Sequence, residues 1–336
     1  MTPLSVIWYI LAALLFCAFA VADGFDLGAG ILYGFERELG RRERILHAIA
    51  PVWGGSEIWL LAGMVALLVG FPRVYALVVR SLALPIVIAI AALVLRAIGI
   101  EFRLRGPSRA IGAVLDALIV VGSFVPALAM GFMGANLLQG LPIDAGGILQ
   151  GGSAALLSPF SVLGALVSGI AFTLHGSTFL AMRTNGEFRG QIEGWAKTLL
   201  TMLLVLLVGG FLWSRTALRL RYATSMASAF FWVSLALGLL AYASVWVNVR
   251  FERRTAAFAG SSAGLAAIAI CSASLLFPTM IPSTLDPSFA LTVGNAAAGD
   301  DSLRSLLVYA LVALPLVLVY VVISYRSIGR RRRRDR

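Results

Sequence analysis

Residues 4–34 read LSVIWYILAALLFCAFAVADGFDLGAGILYG, and the fold turns on how this stretch is interpreted. From Ile7 to Ala22 it is an unbroken apolar run. A helix rises 1.5 Å per residue, so about 20 apolar residues cross a hydrocarbon core of about 30 Å. Ala18-Phe19-Ala20 has the look of a signal-peptide cleavage site. No Lys or Arg precedes the run, however, so the basic segment that opens a signal peptide is missing. The stretch is read as a first membrane span, one that carries Asp23 and Asp26 near its end.

Working outward, nine such runs follow in order, near residues 4–34, 46–71, 74–96, 111–135, 158–182, 196–213, 225–249, 258–277 and 303–325. The 336 residues are 60% apolar and 13% charged, against roughly 45–50% and about 25% in soluble domains. Backbone groups in lipid must be satisfied within each segment, so the runs are expected to be helices. The expectation is an all-α integral membrane protein with nine transmembrane helices, residues 1–336 forming a single membrane domain. Only Phe71-Pro72-Arg73 separates the second run from the third, which leaves an eight-span count open.

The net charge of +11 is not gathered into one patch, which argues against a nucleic-acid partner; its short clusters between apolar runs define a topology. With nine spans, one side receives 21 of the 27 Lys and Arg. They lie around Arg37–Arg44, Arg96–Arg109, Arg183–Lys197, Arg250–Arg254 and the tail 326–336. The other side receives Arg73, Arg80, Arg215, Arg219, Arg221 and Arg304. The positive-inside rule then places the N-terminus outside and the C-terminus in the cytoplasm, with Arg215–Arg221 running against it. The segments 136–157 and 278–302 lack Lys and Arg and read as outside loops. Arg330–Arg334 reads as a stop-transfer anchor against membrane lipid.

Ionisable residues inside spans are costly and mark function by default. Asp23 and Asp26, three apart, share a helix face. Asp26 lies ten residues before Glu36, or about 15 Å from the cytoplasmic end. Glu57, about a dozen residues into the second run, lies at similar depth in an antiparallel neighbour. A carboxyl away from bulk water is able to take up and release protons, so Asp23, Asp26 and Glu57 form a candidate proton path. The competing reading has these acids capping glycine-bent helix ends or pairing with an Arg of a neighbour. For Asp23, beside Gly24, the two readings stay open; Asp26 and Glu57 are read as relay acids. Asp116, near the start of the fourth run, is read as structural.

His47 and His175 are the only histidines. A lone span His is more often hydrogen-bonded to a neighbour than bound to iron, so no haem or metal is expected on this chain itself. Cys17 and Cys271, each in an apolar run, read as small fillers. Trp53 and Trp59 flank Glu57, either to pack on a cofactor edge in a partner or as ordinary core. Phosphate-loop, dinucleotide-loop and zinc-protease patterns are missing.

Ala22-Asp23-Gly24-Phe25-Asp26-Leu27-Gly28 resembles the D-G-F-D-x-G signature of cytochrome bd-type quinol oxidase subunit II. Pro51-Val52-Trp53 with Ile58-Trp59-Leu60 is similar to the same family's second-helix motif. Matches continue in order through Arg96-Ala97-Ile98-Gly99-Ile100-Glu101-Phe102-Arg103, Gly122-Ser123-Phe124-Val125-Pro126 and Asn136-Leu137-Leu138-Gln139-Gly140. They close with Met182-Arg183-Thr184-Asn185-Gly186-Glu187 and Phe277-Pro278 through Pro282-Ser283.

The resemblance, which takes in the cyanide-insensitive variant, implies a four-helix bundle over 1–135 and a second over 158–277. A peripheral ninth helix over 303–325 and a basic cytoplasmic tail over 326–336 would follow. It also implies a partner, subunit I, that carries haem b and haem d, oxidises quinol and reduces dioxygen to water in a bacterial cytoplasmic membrane. In that family subunit II ligates no haem and holds no catalytic residue. Its first two helices contribute acids to proton delivery, and in some members it holds a structural quinone.

One departure is local. Where the family places an acid directly after the first Trp, this chain has Gly54, Gly55 and Ser56, and the acid is Glu57, three residues on. That is close to one helical turn. The competing function of another class is a proton- or cation-coupled secondary transporter using Asp26 and Glu57.

Overall fold

The computed structural model describes residues 1–51, 53–217 and 228–334. Among these, eight helices are long and apolar enough to cross a membrane. They are α1 (Pro3–Phe35), α5 (Ala83–Arg103), α6 (Arg109–Gln139), α7 (Pro159–Arg183), α8 (Gly186–Ala217), α9 (Ala229–Arg250), α10 (Arg254–Leu276) and α12 (Asp300–Arg334). Four shorter helices are α2 (Leu39–Ile49), α3 (Glu57–Gly70), α4 (Pro72–Ser81) and α11 (Val293–Ala296). Arg219 and Arg221, and the tail's last two residues, lie outside the described residues.

The second and third apolar runs depart most from the sequence reading. Residues 46–71 are not one helix. α2 stops before Pro51, a 3-10 turn spans Trp53–Gly55, and α3 starts only at Glu57. Pro51 has no N–H to continue a helix, and Gly54-Gly55 adds the backbone entropy of two glycines. The 14-residue α3 covers about 21 Å, short of a full crossing. α2 is amphipathic, with Ile45, Leu46, Ala48 and Ile49 buried beneath a row of arginines.

The third run breaks too. Pro85 sits in the first turn of α5, where its missing N–H costs nothing but a continuous helix through Ser81 would clash. The crossing helix therefore covers 83–103 rather than 74–96. Arg96 consequently moves from a cytoplasmic flank into a helix interior. This takes one residue from the basic side of the topology count without changing its sense.

α1 runs unbroken through Gly24 and both acids, so no helix break occurs at Asp23. It lies centrally, packed against α3, α6, α7 and α10; α5 packs on α6, α8 on α7 and α9 on α10. Membrane helices gain little from burying apolar surface against each other, so close contact rests on small residues. At the α1–α7 crossing, a Cβ on Gly28 would collide with the Phe172 carbonyl, and one on Gly176 would collide with the backbone at Gly28 and Ala29.

The segments read as outside loops are built into a cap. Strands β1 (Thr279–Ile281) and β2 (Leu291–Thr292) pair antiparallel. Leu141 N–H donates to Pro282 O and Thr284 N–H to Leu141 O, both at 2.9 Å. Trp8 Nε1 donates to Leu303 O at 3.1 Å, fastening the start of α1 to the start of α12.

Within the cap, Asp144 accepts from Gly146 and Ile148 N–H at 2.9 Å and from Gln150 Nε2 at 2.7 Å. These donors, Ile148 N–H foremost, hold its carboxyl below the usual carboxylate range. The stabilisation is therefore full above the ordinary carboxylate value of about 3.9. It is lost as pH falls through the lower folded value. Asp144→Asn is expected to speed hydrogen exchange at Ile148 at neutral pH, and the difference from wild type should shrink in acid. Equal exchange at neutral pH would count against it.

Candidate functional site

α1, α5 and the turn before α3 converge on one buried group of polar side chains. Asp23 and Asp26 of α1 are fully buried, and Arg96 of α5 and Ser56 are each 1% exposed. Ser56 Oγ donates to Asp23 Oδ1 at 2.8 Å. Arg96 Nη1 lies 3.5 Å from Asp23 Oδ1, and Nη2 lies 3.8 Å from Asp26 Oδ2. Those separations exceed a direct hydrogen bond. Asp23 Oδ2, both carboxyl oxygens of Asp26, and Arg96 Nε and Nη2 are buried without a hydrogen-bond partner among the described residues.

The observed helix bounds place these groups at one level. Asp26 lies about 14 Å from the Phe35 end of α1, and Arg96 about 10 Å from the Arg103 end of α5. Both ends are on the same face, joined through Asp116. Asp116 accepts from Tyr33 OH at 2.5 Å and from Arg103 Nε at 2.7 Å, and pairs with Arg42 at 3.4 Å. Asp116 thus clamps α1, α2, α5 and α6 together, the structural role its position implied. Arg96 approaches because α6 offers Gly122, where any Cβ would meet the Arg96 backbone nitrogen and Cβ.

Glu57 is not a dozen residues inside a continuous span but the first residue of α3. It is half-buried, one residue after the serine that bonds Asp23, and within electrostatic reach of Asp23 and Arg96. The positive end of the α3 dipole favours a carboxylate there. Trp59 is half-buried and packs against the core that holds Trp8 and Phe71. Trp53 begins the 3-10 turn; its side chain lies outside what the structure describes.

His175 is buried with both ring nitrogens engaged, Nδ1 with Ser261 Oγ at 2.7 Å and Nε2 with Val21 O at 3.2 Å. It stacks on Phe258, with ring centroids 4.7 Å apart. His47 is exposed on α2.

The structure therefore brings Asp23 and Asp26 together, sets Glu57 at their edge, and adds Arg96 and Ser56, which reading the sequence missed. Arg96 had a signal: two acids inside spans need a counter-charge, and Arg96 sits within an apolar run extending from Ala83 to Ile100. The arrangement holds two carboxyls and one guanidinium away from water.

Comparison with known proteins agrees along the whole chain. Residues 4–328 match the family model described as cytochrome bd terminal oxidase subunit II. The chain is similar to cytochrome bd ubiquinol oxidase subunit 2 of Bacillus subtilis, 30% identical over 97% of this chain and 96% of that one. It is also 30% identical to the cytochrome bd-I ubiquinol oxidase subunit 2 of Escherichia coli K12, over 99% and 96% of the two chains. Its fold resembles a chain in the structure of the bd oxidase from Geobacillus thermodenitrificans, with a TM-score of 0.76 at 18% identity over 97% of this chain and 98% of that one. The chain belongs to the cytochrome bd terminal oxidase subunit II family, and so is a membrane subunit of an oxidoreductase.

Proposed function

We propose that this subunit supports a haem-bearing subunit I and that its Asp23–Arg96–Asp26 group, with Glu57, relays protons from the cytoplasm toward dioxygen reduction. Reducing dioxygen to water consumes protons as well as electrons, and both must reach a site inside the membrane. Haem b and haem d belong to the partner in this reading. The engagement of both His175 nitrogens supports a subunit that ligates neither.

One observation carries the relay: buried carboxyl and guanidinium atoms with unused hydrogen-bonding capacity, at a shared depth, two acids to one base. An uncompensated buried charge is expensive. The neutral state of the trio holds one proton on the acid pair, and passing that proton on while accepting another is relay chemistry. The distances of 3.5 and 3.8 Å are those of ion pairs without a direct hydrogen bond, so neither carboxyl is locked to Arg96.

The nine-span reading is kept by counting the turn at residues 53–56 together with α3 as one discontinuous crossing. Two bundles, over 1–135 and 158–277, then meet along α1, α6, α7 and α10. The N-terminus lies outside and the C-terminus in the cytoplasm. Non-helical backbone at membrane depth is tolerated only against protein or a water-filled cavity. Gly54 is exposed and Glu57 half-exposed at this turn. Subunit I is the cover this face requires, with lipid around the remainder and quinol as substrate of the complex. A secondary transporter is not favoured, since the chain's family is that of an oxidase subunit.

Asp26→Asn and Glu57→Gln, each in the assembled complex, are expected to lower oxygen consumption at unchanged haem content. Asp26→Asn should have the larger effect, a loss of roughly tenfold or more, in line with general acid–base contributions. Wild-type turnover in both variants would remove these acids from the path and leave a purely supporting subunit.

A further inference from the structure

A second polar site lies between the α7–α8 and α9–α10 turns, on the face where Arg41 reaches Gln191 and Glu187. A cavity of about 560 Å³ opens there, lined by Arg189, Glu252, Arg253 and Arg254 over an apolar base of Met182 and Ala256. Arg189 is held in place, its Nε donating to Thr184 O at 2.6 Å and its Nη2 to Asn185 Oδ1. Arg254 is held by Glu193 at 3.0 Å and Glu252 at 2.7 Å. A guanidinium has five N–H donors, so these bonds leave others to face the cavity.

Arg253 and Arg254 follow Glu252 in the turn between α9 and α10. Glu252 has φ +58°, the only positive φ at a non-glycine position among the described residues. Toward the Glu252 turn, the end of α9 exposes Trp246 and Val247, and Phe251 just beyond it is 66% exposed. Cationic donors at a bilayer boundary, next to an apolar outward face, match a molecule with a phosphate head and an acyl tail.

We propose that this cavity binds the phosphate of an anionic phospholipid, with Arg189, Arg253 and Arg254 as donors and the acyl chain lying along Val247 and Phe251. The site is separate from the buried acids and does not rest on the relay.

The test uses the complex co-purified with subunit I, partly delipidated, then titrated with phosphatidylglycerol, phosphatidylcholine or inorganic phosphate while bound lipid is counted by native mass spectrometry. The wild-type complex is expected to retain one more phosphatidylglycerol than the Arg189→Gln/Arg253→Gln variant, and to prefer it over phosphatidylcholine about tenfold. Arg253→Gln alone, at an exposed position, should also lose the lipid and guards against misfolding of the double variant. Equal retention in wild type and in either variant, or equal binding of the two lipids, would each overturn the proposal. Displacement of the lipid by millimolar inorganic phosphate would assign the site to a soluble anion instead and overturn the lipid assignment.

Discussion

Arg96→Leu is expected to abolish accumulation of the assembled complex, while Arg96→Leu combined with Asp23→Asn and Asp26→Asn should restore a substantial part of it. Arg96 is 1% exposed and faces two fully buried acids. Removing one partner of a buried ion pair costs roughly 3–5 kcal/mol, because the other charge is left uncompensated. Folded proteins are stable by only about 5–15 kcal/mol, so that loss is a large fraction of the total. Neutralising the acids removes the stranded charges, which is why the triple variant should recover assembly but not turnover. Arg96→Lys keeps the charge but loses the two-pronged reach to Asp23 and Asp26, so it should assemble with reduced activity. The measurement is the yield of pigmented complex on co-purification. Normal yield from Arg96→Leu alone would mean that the acids need no counter-charge, and the electrostatic account of the site would fall with it.

The membrane class, most of the helices and the two α1 acids were legible because each depends on local information. Apolar length sets a span, and an Asp within one stands out against it. The failures have a common physical origin. A hydrophobic run is blind to backbone breaks, so residues 46–71 and 74–96 read as continuous although Pro51, Gly54-Gly55 and Pro85 interrupt them. Moving the α5 boundary by about two turns carried Arg96 from the water boundary to the interior. With Arg96 assigned to a loop, Asp23 and Asp26 lacked a counter-ion, and the acid site looked like carboxyls alone. Ser56 stood in the family's altered motif, yet its bond to Asp23 depends on the break before α3. Of the two readings kept open for Asp23, pairing with a neighbour's Arg describes the structure. That same pairing leaves oxygen atoms without hydrogen bonds, so it does not exclude a relay. The paired loops of the cap were illegible for a different reason: their contacts join residues about 140 apart, such as Ile143 and Ser283.

The second large effect belongs to the α1–α7 crossing. Gly28→Val is expected to prevent folding of the subunit, and Gly176→Val should do the same. In each case the first atom of the new side chain lands on backbone: the Phe172 carbonyl for Gly28, and the Gly28–Ala29 peptide for Gly176. Backbone within two packed helices cannot swing aside as the tip of a lysine would. The helices must separate or rotate, and overpacking of this kind sits at or beyond the upper end of the roughly 1–3 kcal/mol seen in cores. α1 also carries Asp23 and Asp26, and α7 carries His175, whose ring donates toward Val21 O two residues before Asp23. A shift at Gly28 therefore displaces the acids relative to Arg96 as well as loosening the fold. Gly190→Ala is the matched control: it lies in α8, and a Cβ there meets nothing within 4 Å among the described residues. Helical Gly→Ala at an unobstructed position is worth about 0.4–1 kcal/mol of stabilisation. Membrane accumulation and thermal stability of the complex should thus fall sharply for the Gly28 and Gly176 variants and stay level or rise for Gly190→Ala. If Gly28→Val accumulates like wild type, the two helices are not in backbone contact, and the placement of the acids against Arg96, which that contact helps to fix, would need another cause.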